Sequence, residues 1–199
     1  VPCGLISLAC FGLSTHLGYL EVLSFLSRHG EAMIANNSVN GMLNNWLGTA
    51  NPLVWDEHGF PAYNPIVYFG GLLAAILLIG ASLWPKANST QVLGLFDFQA
   101  AALAYTMAAP IAWEHHYGIL PPIFAGLVAA LMSAPESAHR NKNLLMTAGV
   151  FLLSAICITS HKYISATPLS MLHGYLFVAG LLMLGLLWVA PKALSAAPD

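Results

Sequence analysis

Three neighbouring ionisable side chains, Glu114, His115 and His116, close the apolar run Ala108-Ala109-Pro110-Ile111-Ala112-Trp113. Ionisable groups at the mouth of an apolar segment are costly unless a partner or water meets them, so such a cluster is a functional candidate by default. An imidazole can hold a phosphate as a hydrogen-bond donor or as a cation. A neighbouring carboxylate can orient that imidazole or take a proton from a hydroxyl. The same residue types ligate metals, but adjacent positions on a helix point in different directions and no H-E-x-x-H spacing occurs, so no metal site is assigned. His16 and His173, near the ends of their own apolar stretches, are the other imidazoles that could complete a site. The competing interpretation is a set of interfacial anchors, since Trp113 and Tyr117 are the amphipathic rings expected at headgroup level.

A second block is Asn36-Asn37-Ser38-Val39-Asn40-Gly41-Met42-Leu43-Asn44-Asn45. Asparagine brings neutral donors and acceptors with no charge to desolvate, which suits sugar hydroxyls or a phosphate. Asn and Ser also favour turns and helix N-caps, and the residues alone leave both uses open. Asn36 heads an N-x-S glycosylation sequon, a pattern common by chance. Asp56-Glu57-His58, in a stretch bounded by Pro and Gly, is either a carboxylate near a substrate or a solvated loop tip.

The elements that position these blocks follow from composition. Hydrophobic residues make up 58% of the 199 positions and charged residues 7%, against roughly 25% charged in soluble domains. The mean hydropathy is +0.72. A soluble surface of this size needs more charge, so lipid must solvate much of the chain. Six Lys plus Arg cannot build a phosphate-tracking stripe, which excludes nucleic acid as a partner. Cys3, Cys10 and Cys157 lie in apolar runs and are read as small buried hydrophobes, with no C-x-x-C pair to hold a metal or a redox centre. No cofactor is expected.

A spanning helix needs about 20 mostly apolar residues. Five stretches qualify, at Asn64–Trp84, Val92–Trp113, Gly118–Ser133, Leu144–Ser160 and Leu169–Ala190. A sixth, Val1 to about Ser14, reads as the outer end of a partial span. The fold class is therefore an all-α polytopic transmembrane bundle: one membrane domain over 1–199, with a five-span bundle over 64–190. Lys86, Arg140, Lys142 and Lys192 fall on one side of alternating spans, Arg28 and Lys162 on the other. The positive-inside rule then makes the short basic turns cytoplasmic. Residues 18–63 become an extracytoplasmic loop, on the same face as Glu114-His115-His116 and the 162–167 turn. Within that loop Val22, Leu23, Phe25, Leu26 and Met33 form one side of an amphipathic helix, interrupted by Gly30, opposite Glu21, Ser24, Ser27, Arg28 and Glu31. It is read as a helix at the membrane surface or as an ordinary loop helix packed on the bundle.

Asn36-Asn37-Ser38-Val39-Asn40-Gly41, followed by Ala109-Pro110-Ile111-Ala112-Trp113-Glu114-His115-His116, resembles glycosyltransferase family 87, which includes polyprenyl-phosphate-mannose-dependent mannosyltransferases. The first block is similar to that family's N-Q-S-x-N-G pattern, with Asn37 where Gln is usual. The second is similar to S-P-x-x-W-x-H-H, with Ala109 in place of Ser. The resemblance covers about Ser14 to Ala190. It implies a GT-C-like fold in the cytoplasmic (inner) membrane, with a site facing outside. A polyprenyl-phosphate sugar would be the donor, and a lipid or glycan the acceptor. By the match, Asn36, Ser38 and Asn40 line the outer cavity and His115 or His116 contacts the donor phosphate; Asn37, Trp113, Glu114 and His173 are the further substrate-binding candidates. The family's general base is an Asp in an earlier outer loop to which nothing here corresponds. The resemblance thus implies the C-terminal portion of such an enzyme, inactive alone, with its catalytic residue unassigned. The competing classes are a non-catalytic membrane assembly subunit and a small-solute transporter. A transporter would place polar groups at broken helices near the midplane, where these spans are nearly charge-free.

Overall fold

Non-helical backbone in lipid leaves polar groups unpaired, so apolar runs of this length fold as helices. A computed structural model of the chain describes residues 2–48, 51–54, 59–84, 91–156 and 167–195. Its helices are α1 (Pro2–His29), α2 (Val39–Leu47), α3 (Pro65–Leu83), α4 (Gln91–Ala108), α5 (Leu120–Ser133), α6 (Ala138–Ala155) and α7 (Tyr175–Ser195), with 3-10 turns at Glu114–Ile119 and Pro168–Gly174. Among the described residues four stretches are long and apolar enough to cross a membrane: Pro2–His29, Pro65–Leu83, Glu114–Ser133 and Leu172–Val189. The chain is a membrane-embedded helical protein.

Helices α4 and α6 do not themselves meet that apolar standard; of the stretch expected at Leu144–Ser160, residues 157–160 lie outside the described residues. The first half of α6 carries Arg140, Asn141, Lys142 and Asn143. Helix α4 stops at Ala108 rather than running on to Trp113, because Pro110 has no N–H to continue a helix and its ring disfavours the helical conformation before it. The short third stretch gains length from the 3-10 turn that leads into α5.

The core lies where α4, α5 and α7 meet. Phe96, Ala100, Leu103, Ala104 and Met107 of α4 are all at most 1% exposed, as are Ile123, Leu127 and Leu131 of α5 and Met183 and Leu187 of α7. Their spacings of four and three or four residues put each set on one helical face. Gly180 lets α7 close on α4, since a Cβ there would lie 2.7 Å from Met107 Sδ. The outward faces carry Ile66, Phe69, Leu73, Ile76 and Leu77 of α3 and Leu181, Leu182 and Val189 of α7, all exposed. Apolar surface of that extent belongs against lipid.

The amino-terminal region differs in part from the expected short span and separate surface helix. Residues 2–29 are two helical segments that meet at a non-helical kink at Gly12 (φ 76°, ψ 161°), close to the expected end of the first stretch; the second segment starts earlier than expected, and no residue of either is buried. Gly30 does not interrupt a helix through Met33; it ends α1, with φ 62° and its N–H donating to Leu26 O at 2.8 Å. A positive φ suits glycine. The position also faces Asn40, whose Oδ1 would lie 1.6 Å from a Cβ. Cys3 and Cys10 are exposed rather than buried; Cys157 lies outside the described residues.

Candidate functional site

Where α4 gives way to irregular backbone, its exposed carbonyls and amides need partners. The asparagine block supplies them. Asn36 forms an antiparallel bridge with Trp113, so two segments far apart in sequence are joined at one end of the bundle. Asn36 Nδ2 donates to Pro110 O (3.2 Å) and Glu31 O (3.0 Å), and its Oδ1 accepts from the Ala112 N–H (2.9 Å) and the Ser38 N–H (3.3 Å). The Asn37 N–H donates to Ala112 O at 2.8 Å. Asn37 Nδ2 donates to Ala35 O (3.1 Å), and its Oδ1 accepts from the Leu176 N–H (3.3 Å) at the start of α7. Ser38 Oγ donates to Pro110 O (2.9 Å) and accepts from the Gly41 N–H (3.0 Å), capping α2. Tyr117 Oη donates to Asn37 O at 2.7 Å.

Asn36, Asn37 and Ser38 are 2%, 0% and 0% exposed. The side chains expected to meet a sugar thus form a clamp, and their polar atoms face backbone rather than an open cavity. Of the two uses open to the block, turn and cap chemistry describes these three. The Asn36 amide, already donating twice in the interior, is also in no position to carry a glycan. Gly41 belongs to the clamp: a Cβ there would sit 2.3 Å from Asn36 O. Asn40 differs. Its Oδ1 accepts from Asn44 Nδ2 at 2.8 Å, and it lines a cavity of about 70 Å³ with Ser27, Tyr68 and Pro110.

The Pro110–His116 side of the clamp carries the exposed chemistry. Glu114, His115 and His116 are exposed on the first 3-10 turn. The imidazoles stack with centroids 4.3 Å apart, and His115 meets Trp113 edge-on at 5.6 Å. The Trp113 N–H donates to His116 Nδ1 at 3.0 Å. That bond assigns the acceptor role to Nδ1, so in the neutral ring the proton is on Nε2. Trp113 Nε1 in turn donates to the Glu31 carboxylate. Beside this turn runs a groove of about 350 Å³, lined by Glu114, Tyr117, Leu120, Pro121, Phe124 and Phe151 among others. It is polar at the Glu114 end and apolar along α5 and α6.

Other expected members do not join the pair. His173 is 3% exposed, in the turn whose Gly174 packs against Met42 of α2; it belongs to the buried support and not to the exposed surface. His16 stays on α1, donating from Nδ1 to Gly12 O at 2.7 Å and meeting Ser7 Oγ at 3.1 Å. Asp56-Glu57-His58 lies outside the described residues. Among the described residues no three His, Cys, Asp or Glu side chains are grouped to hold a metal. Glu31 is the contributor that sequence reasoning placed only on the polar side of a helix. Its one signal was a carboxylate five residues ahead of Asn36.

No protein-family model, curated protein or solved structure matches the chain.

Proposed function

We propose that this chain is the donor-binding portion of a GT-C-type membrane glycosyltransferase of the family 87 kind. It takes a mannose-like sugar from a polyprenyl phosphate and serves transfer to a lipid or glycan acceptor on the outer side of the cytoplasmic membrane. One observation carries the reading: the exposed His115–His116 stack follows directly on Glu114, which lines the mouth of a groove that turns apolar along α5 and α6, while the two imidazoles themselves stand outside the groove's lining. A polyprenyl phosphate asks for this pairing of an anion-binding head and an apolar track.

The chemistry at the head follows from the ring positions. Breaking the bond between the anomeric carbon and the phosphate oxygen leaves negative charge on the departing phosphate. A donor aimed at that oxygen stabilises the charge as it develops. His116 Nε2–H, held by the Trp113 N–H on the other ring nitrogen, is such a donor, and the stacked His115 adds a second imidazole. Glu114 lies on the acceptor side of this scheme or orients a ring. No carboxylate is assigned as the general base.

Binding tests the reading directly. The full chain in detergent should bind a polyprenyl phosphate more tightly than the corresponding polyprenol. Phe124→Trp, which fills the groove, should weaken both ligands. Equal affinity for phosphate and alcohol would remove the donor-head assignment. For orientation, His116→Cys in a chain cleared of its own cysteines should react with an impermeant maleimide applied from outside intact cells. Labelling only from the cytoplasmic side would reverse the topology.

A further inference from the structure

The carboxyl end of α1 holds a second cluster that the sugar-transfer reading does not use. Arg28 and His29 occupy its last turn and, with Tyr63 and Tyr68, line a cavity of about 320 Å³. Basic residues at a helix carboxyl end are explained by the helix dipole alone. The cavity between them and two tyrosines is not.

The cluster is built from several elements. His29 Nδ1 donates to Pro61 O at 2.8 Å, which docks the 59–64 segment against α1 and leaves Nε2 as the ring's remaining polar atom. Phe25 stacks on His29 at 4.3 Å and meets Phe60 edge-on at 5.2 Å. Tyr63 and Tyr68 stand with ring centroids 5.9 Å apart. No carboxylate among the described residues pairs with Arg28. A guanidinium and two phenol hydroxyls around one space form a donor set suited to a phosphate ester, with the guanidinium able to bind two oxygens at once, and the His29 ring, its Nδ1–H given to Pro61 O, walls that space.

The surroundings select the source of that phosphate. Phe25 of α1 and Ile66 and Phe69 of α3 flank the cluster and are 43%, 59% and 60% exposed. An apolar rim of this kind sits against acyl chains, with cationic and aromatic groups at headgroup level. We infer that Arg28, Tyr63 and Tyr68, against the wall formed by His29, bind the phosphate of an anionic phospholipid between α1 and α3, at a site separate from the His115–His116 pair. The lipid is a bound partner that need not be consumed, and the site does not depend on the sugar-transfer reading.

The full chain is reconstituted in nanodiscs of phosphatidylcholine, with or without one-quarter phosphatidylglycerol, and the lipids retained after release are counted by native mass spectrometry. The wild-type chain should keep one phosphatidylglycerol in preference to phosphatidylcholine. Arg28→Gln, at an exposed position, should lower that retention about tenfold. The Tyr63→Phe/Tyr68→Phe double variant, which preserves the rings, should lower it by a smaller factor. Equal retention of the two lipids, or retention unchanged in Arg28→Gln, would overturn the site. Displacement of the lipid by millimolar inorganic phosphate would overturn the lipid as its occupant.

Discussion

Asn36, Asn37 and Ser38 are at most 2% exposed, and each of these side chains is bonded to backbone of another segment. Next to their bridge partner, Glu114, His115 and His116 are exposed, and the Trp113 N–H holds His116 in place. The two blocks sit at the same end of the bundle and divide the labour. The first closes irregular backbone that lipid-bathed helices cannot tolerate unpaired; the second stays exposed, free for the recognition proposed above. Polar residues beside a membrane can therefore mean either support or recognition, and burial separates the two.

The sharpest way to break this division is Asn36→Ala. It removes four hydrogen bonds and leaves Pro110 O short of a donor and the Ala112 N–H without its acceptor. A loss of about 4 kcal/mol is expected, given the cost of unsatisfied buried groups. Thermal unfolding in detergent would read it; a midpoint within a degree or so of wild type would mean that the bridge holds without Asn36. Gly30→Ala comes next, since it combines a positive φ with a Cβ directed at Asn40. About 2 to 3 kcal/mol should be lost, and Asn40→Ala in the same chain should recover part of it. No recovery would show that the backbone conformation alone is responsible.

Tyr117→Phe keeps the ring and deletes only the bond to Asn37 O. A loss of about 1 kcal/mol is expected; a neutral result would place that hydroxyl outside the clamp's energetics. At the small end, His115→Ala should change stability by no more than about 0.5 kcal/mol, the usual range for an exposed side chain. A larger loss would move His115 from recognition to support.

The spans were legible because lipid demands long apolar runs, and α3 at Pro65–Leu83 lies within a residue of its expected limits. That the two polar blocks share one face was legible from loop charge, but their direct contact was not. Periodicity could not show it, since the bridge joins Asn36 to Trp113 across three helices. Which block faces outward was not legible. An asparagine suits a sugar hydroxyl and a stray carbonyl equally well, and the choice depends on Pro110 ending α4 above it. The second segment of α1 was legible in part: Glu21, Ser24 and Arg28 mark the polar side of a helix, and the positive φ of Gly30 ends that helix before Met33. In helix α4, Asp97 and Gln99 lower the hydropathy, while its other face is the best-packed in the molecule.

The proposed division of labour is tested most directly by measuring stability and polyprenyl-phosphate affinity together on one His115→Ala/His116→Ala double variant. The account predicts an unfolding midpoint close to wild type and an affinity reduced to that of the phosphate-free polyprenol. A variant that unfolds early, or one that binds the phosphate as wild type does, would contradict it.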